Sequence, residues 1–279
     1  MRKFDKDDIA LSICLCILVL CCVGILGYGI KAKYFPSYEE RPQEVSAAET
    51  VAVSDEAASQ DKNTPEEATK AATLTILPEY TDKHAQNKDM VGWLKIAGTV
   101  IDYPVMQTPW NEDYYLRKGF DEEYDIKGSL IMDTDSVVGV GTAASEYVGG
   151  TKPGTNLIIH GHTMKTGTMF GGLEKYKDKS YGAEHKIIKF DSLYEKREYE
   201  LISVFYSEIF YEDQDVFKYY KFFQADTQEE FDDWYDNITK MSLYDTGVKA
   251  EFGDEFITLS CCSYHTQDGR FVVIGKRIK

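Results

Sequence analysis

From residue 74 onward most apolar runs are short, rich in Val, Ile, Phe and Tyr, and end at Gly, Asp, Asn or Pro. That pattern predicts strands at 91–97, 100–106, 128–132, 156–160, 186–190, 199–206, 255–261 and 270–275. Eight short strands separated by turns predict a mostly-β domain built as a closed or nearly closed barrel. Two helices interrupt the series. One is expected at 111–118. The other starts at Thr227, where Glu230 three residues on completes a capping-box pattern, and it carries Phe231, Trp234, Tyr235, Ile238 and Met241 on one face. This helix lies in a connection of about 50 residues between Tyr206 and Glu255, long enough to suggest a functional excursion or a lid. Its aromatic stripe reads as core packing.

A different pattern precedes the domain. Residues 9–30 are 22 positions without a charge, spanning about 33 Å as a helix, enough to cross a bilayer. The stretch is long and no small-x-small cleavage site follows it cleanly, so it reads as an uncleaved signal anchor behind a short tail, 1–8. Arg2, Lys3 and Lys6 before the span are matched by Lys31, Lys33 and Arg41 after it, and charge bias barely fixes the orientation. From Glu39 to Glu79 there is no aromatic residue, and Ala, Glu, Ser, Thr, Asp and Pro dominate. Residues 31–73 are therefore expected to be a flexible acidic tether, and 74–279 the folded domain.

The 279-residue chain carries a net charge of −16, which argues against nucleic acid and anionic membrane surfaces as partners. Four of the six cysteines, Cys14, Cys16, Cys21 and Cys22, fall in the apolar span, where cysteine behaves as a small hydrophobe. Only Cys261 and Cys262 remain for the domain. A domain without separated cysteines is not stapled by disulfides, so an exposed thiol in it needs another reason.

Arg270 supplies one. It opens the last apolar run eight residues after Cys262, so a hairpin would set a guanidinium beside a thiol, where it can hold a thiolate and then an oxyanion. A base is also needed, and the histidines are His84, His160, His162, His185 and His265. His162 is best placed, because the buried-strand run 156–159 is followed by Gly161, which lets the chain turn as His162 leaves the sheet. His160 would share its face if the strand ran straight. The residues alone also permit a surface histidine without a role.

Several segments in order carry a resemblance: Val91, Gly92, Trp93 and Leu94 with Asp102, Tyr103, Pro104 and Val105; Tyr114, Tyr115 and Leu116; 128–133; Gly161 and His162 with Gly167, Thr168, Met169 and Phe170; 258–262; and Arg270, Phe271, Val272 and Val273. From about Asp89 to Lys279 the chain resembles the class B sortases, membrane-anchored cysteine transpeptidases of Gram-positive bacteria. The long connection before the cysteine strand separates this pattern from class A. The resemblance implies a sortase-type barrel with Cys262 as nucleophile, His162 as general acid and base, and Arg270 as stabiliser of the substrate carbonyl or oxyanion. It implies Asn111 and Leu116 along the sorting-signal groove, and period-two alternation adds Ser260, on the face of Cys262, as a candidate substrate contact. No cofactor or metal is implied. The implied partners are the sorting-signal peptide of exported proteins, a peptidoglycan cross-bridge amine or pilin lysine, and the membrane through 9–30, with the domain on the extracellular face.

The pattern departs from the family in places. Cys261 stands where threonine usually precedes the nucleophile; alternation points it to the opposite face as a buried small residue. His160 replaces a common tyrosine and Thr163 a common asparagine, which leaves open a share in the base's role for His160. The glycine-rich stretch 136–153 is longer than the family pattern and reads as a surface insertion, with a loop near the active-site rim as the other reading. Other functions also stay open: a hydrolytic cysteine protease, a zinc site from His160, His162, Cys261 and Cys262, or a non-enzymatic surface binding domain.

Overall fold

The computed structural model describes residues 74–279. The expected span and tether lie outside these residues; among the described ones no helix is long and apolar enough to cross a membrane. Eight strands close a barrel: β1 Met90–Ile96, β2 Asp102–Met106, β3 Leu130–Met132, β4 Asn156–Gly161, β5 Ile187–Ser192, β6 Lys196–Glu208, β7 Phe256–Cys262 and β8 Gly269–Arg277. Their order around it is β1-β2-β3-β4-β7-β8-β6-β5. The β2–β3 and β4–β7 pairs are parallel and the rest antiparallel. Parallel neighbours require long connections. That is why residues 107–129 leave the barrel between β2 and β3, and why β5, β6 and the excursion after β6 all lie in the chain between β4 and β7.

Alternation fills the barrel from within. Leu94, Val105, Leu130, Leu157, Ile159, Phe190, Leu259, Cys261, Phe271 and Val273 belong to one buried cluster. Gly92 is needed where β1 crosses β5, because a Cβ there would lie 2.4 Å from the Asp191 carbonyl oxygen and 2.6 Å from the Phe190 ring. The outer face of β6, β7 and β8 is also buried. Phe205, Phe256, Val272 and Ile274 meet Phe231, Trp234 and Ile238 in a second cluster.

Of the three α-helices among the described residues, α1 (Pro78–Gln86) and α2 (Lys179–Glu184) are not among the expected elements, and α3 is Gln228–Met241. Thr227 and Glu230 form the complete capping box, and the aromatic stripe of α3 packs into the second cluster, as the pattern predicts. The helix expected at 111–118 does not form. The amides of Asn111, Tyr114, Leu116 and Lys118 each bond to the carbonyl three residues back. Asn111 Oδ1 accepts from the Asp113 amide at 3.0 Å and Thr108 Oγ1 donates to the Asn111 carbonyl at 2.5 Å. Such local bonds give the backbone an alternative to the helical ladder.

The 136–153 stretch is fastened at the barrel end that holds the start of β6 and the end of β8. Arg197, fully buried, donates to the Val138 carbonyl at 2.9 Å. Glu195 accepts from the Ala143 amide at 2.7 Å and pairs with Arg197 and Arg277 at 2.9 and 2.8 Å. Burial alone would raise the Glu195 carboxyl, but the Ala143 amide and the two guanidinium groups outweigh it and hold the group below its ordinary value. The His162 end of β4 points away from these contacts, so a place on the active-site rim is not what the loop adopts.

Because α3 is held by its buried face more than by its cap, Phe231→Ala is expected to cost about 3–5 kcal/mol of stability. Thr227→Ala should cost only about 1 kcal/mol. Urea denaturation of both variants checks the ranking, and equal losses would contradict it.

Candidate active site

The site is assembled by register. In the parallel pair, Gly161 of β4 lies opposite Cys261 of β7. In the antiparallel hairpin, Cys262 lies opposite Arg270 of β8. His162 leaves β4 one residue after Gly161, on the level where Cys262 ends β7. A Cβ at 161 would lie 2.6 Å from both the Leu130 and Phe170 side chains, so glycine lets β4 run up to this point against the barrel filling.

The two cysteines are divided as alternation requires. Cys261 is 2% exposed and packs in the barrel interior, whereas Cys262 is exposed. Burial pushes the Cys261 thiol up to about 12, so it stays protonated at neutral pH. Both are free thiols.

His162 Nε2 lies 2.8 Å from the Leu116 carbonyl oxygen. A carbonyl only accepts, so Nε2 is the donor in this contact. Arg270 Nη1 donates to the Asp268 and Gly269 carbonyls at 3.2 and 3.0 Å, which orients the guanidinium at the hairpin. Thr163 Oγ1 donates to the Cys262 carbonyl at 2.5 Å, tying the residue after His162 to the backbone of the exposed cysteine.

His162, Cys262 and Arg270 face a shared cleft of about 280 Å³, lined also by Glu112, Asp113, Leu116, Ser129, Ile131, His160, Ile209 and Ser260. That is below the roughly 300–1,000 Å³ of small-molecule pockets. An extended ligand would lie along it rather than inside it.

The expected groove residues separate. Leu116 lines the cleft and is 38% exposed. Ser260 reaches it from the floor, 1% exposed, with its hydroxyl 2.7 Å from the Tyr219 hydroxyl. Asn111 is outside the lining, its side chain holding the Asp113 amide. Glu112, Asp113 and Ile209 line the cleft and have no signal in the sequence, since all three sit on irregular segments. The zinc grouping of His160, His162, Cys261 and Cys262 does not assemble, because Cys261 points into the core. His160 instead meets Asp133 Oδ2 at 3.1 Å and Glu112 Oε1 at 4.0 Å. Burial, and then the Asp133 charge, raise the Glu112 carboxyl above its ordinary value.

No family model matches the chain. Individual relatives do. The chain is 33% identical over 217 residues to Sortase B of Listeria monocytogenes, covering 77% of this chain and 80% of the relative. The structure is similar to a Staphylococcus aureus sortase B-substrate complex with a TM-score of 0.61 at 28% identity, covering 74% of this chain and 87% of the other. A sortase B complexed with triglycine matches with a TM-score of 0.60 at 29% identity, over 74% and 88%. A closed eight-stranded barrel with this cleft, one-third identical to a sortase B over four-fifths of its length, places the chain in the class B sortases, which are cysteine transpeptidases.

Proposed function

We propose that the enzyme cleaves a C-terminal sorting signal of exported proteins after a threonine and passes the acyl group to an amine, with Cys262, His162 and Arg270 doing the chemistry. The observation that carries this reading is the double register: Cys262 opposite Arg270, and Gly161, just before His162, opposite Cys261, all opening on one cleft. The peptide lies along the cleft past Leu116, with Ser260 at the floor. The Cys262 thiolate attacks the threonine carbonyl carbon, a C–S bond forms, and Arg270 holds the oxyanion. As the C–N bond breaks, protonated His162 gives its proton to the leaving amine. The product is a thioester. A second amine then attacks that carbonyl, His162 takes its proton, and the C–S bond breaks to free Cys262.

The solved relative in complex with triglycine favours a glycine-type amine of a peptidoglycan cross-bridge as acceptor; a pilin lysine offers the same nucleophile. Residues 9–30 would anchor the enzyme to the cell membrane with the domain on the extracellular face. Residues 31–73 would let it reach both substrates there.

Peptide-library cleavage, run with and without triglycine and with Cys262→Ala as control, tests the reading. An amide product that requires both the amine and Cys262 is expected; hydrolysis alone, with amine present, would remove transpeptidation. Arg270→Ala should lower kcat/KM by about 10²- to 10³-fold with the fold intact, and a near-normal rate would take Arg270 out of the mechanism.

Thr163 is a positioning residue, acting through the Cys262 carbonyl. Thr163→Val keeps the shape and removes the donor, so kcat should fall while KM changes little. Thr163→Ser should restore it. A drop that serine does not rescue would point to packing instead.

A further inference from the structure

Three side chains from separate parts of the fold converge beside the cleft, two of them, Glu112 and His160, lining it. Glu112 comes from the turn-rich loop after β2, Asp133 follows β3, and His160 is on β4. Their ligand atoms all lie within 4.8 Å of one another. Zinc with ligands at about 2.1 Å needs ligand-to-ligand edges of roughly 3.4 Å in a tetrahedron. The separations from His160 Nε2, 3.1 Å to Asp133 Oδ2 and 4.0 Å to Glu112 Oε1, straddle that edge. Glu112 is the half-exposed member and the one free to swing the remaining distance.

The rest of the site is built as a ligand set requires. Asp133 is 8% exposed, and its other oxygen accepts from the Asp135 amide at 3.0 Å. Its carbonyl accepts from Gln107 Nε2 at 2.8 Å. Such outer bonds fix the direction of a ligating carboxylate. Two carboxylates here face a single imidazole, and among the described residues neither pairs with a lysine or arginine. The transpeptidation chemistry leaves His160, Asp133 and Glu112 without a role. Mixed imidazole and carboxylate donors suit zinc-class ions better than calcium or magnesium.

We propose that Glu112, Asp133 and His160 hold one divalent cation of the zinc class in the wall of the catalytic cleft. The cation would join the loop that carries Leu116 to the ends of β3 and β4. Because that loop's Leu116 carbonyl also holds His162, occupancy would fix the cleft wall and the imidazole together. Glu112 and His160 line the cleft, so water could fill the remaining coordination positions from that side.

Zinc binding to the full chain, measured by equilibrium dialysis in a Cys262→Ala background, tests this without reference to catalysis. Comparison with Glu112→Gln and His160→Gln in the same background isolates the site from the cysteines of residues 9–30. One zinc equivalent should weaken by about 10-fold or more in each variant, and the zinc-dependent rise in Tm should shrink with it. An equivalent that neither substitution moves, or no zinc bound in the parent, overturns the proposal. Glu112 is exposed, so Glu112→Gln decides the matter alone if His160→Gln does not fold. An equivalent bound by the unsubstituted chain and absent from the Cys262→Ala parent would place the ion on the thiol and equally overturn it.

Discussion

The pairing of β4 with β7 is the constraint on which the catalytic end depends. Parallel strands cannot be joined by a tight turn, so the chain must build β5, β6 and α3 between the histidine and the cysteine. What it gains is a ladder with a fixed register, His160 beside Ser260 and Gly161 beside Cys261. Side chains alternate with a period of two. A slip of one residue along β7 would send Cys262 into the barrel and Cys261 out of it. The register is held by what each face buries: Ile257, Leu259 and Cys261 inside, Phe256 against α3 outside.

The outer face of this ladder also has a polar seam. Thr258 Oγ1 donates to Asn156 Oδ1 at 2.9 Å, and Asn156 Nδ2 donates to the Phe222 carbonyl at 2.9 Å. Next along the same face comes Ser260 with Tyr219. Each of these buried polar groups is thus satisfied within the ladder or by the segment between β6 and α3, as burial demands. The covering ends before Cys262, and the cleft opens where it stops. The long excursion therefore acts as a wall that buries the strand face up to Cys262, more than as a lid.

Much of this is legible in the sequence because it is repetitive. Eight apolar runs with turn residues between them predict the barrel, and Thr227 with Glu230 marks the start of α3. Cys262, Arg270 and His162 stand at strand ends, where alternation and a glycine predict exposure. Strand limits differ from expectation by a few residues: β3 starts at Leu130 and β2 at Asp102, because Gly128 and Gly98 sit at positive φ of 59° and 76° in turns. The 107–128 segment reads as helical at 111–118 and folds otherwise. Its local turns are joined to distant residues, the Tyr115 carbonyl accepting from the Ser129 amide and the Tyr115 hydroxyl bonded to Asn87 and Asp89. No local period encodes those. Glu112, Asp113 and Ile209 escape a sequence reading for the same reason.

That loop is where the site's geometry is least protected by the barrel and most dependent on tertiary contacts. Its aromatic residues Tyr114 and Tyr115 are buried with Met90, Met106 and Ile131, and Trp110 packs against them. This small cluster holds the loop to the outside of β1, β2 and β3. From that footing Leu116 presents its carbonyl to His162 and its side chain to the cleft, while Glu112 presents a carboxylate to His160. Cys262 and Arg270 are fixed by strand register, but the His162 imidazole is held at one end by a strand and at its ring by a loop. The orientation of the His162 ring is thus a property of the hydrophobic cluster under the loop as much as of the sheet.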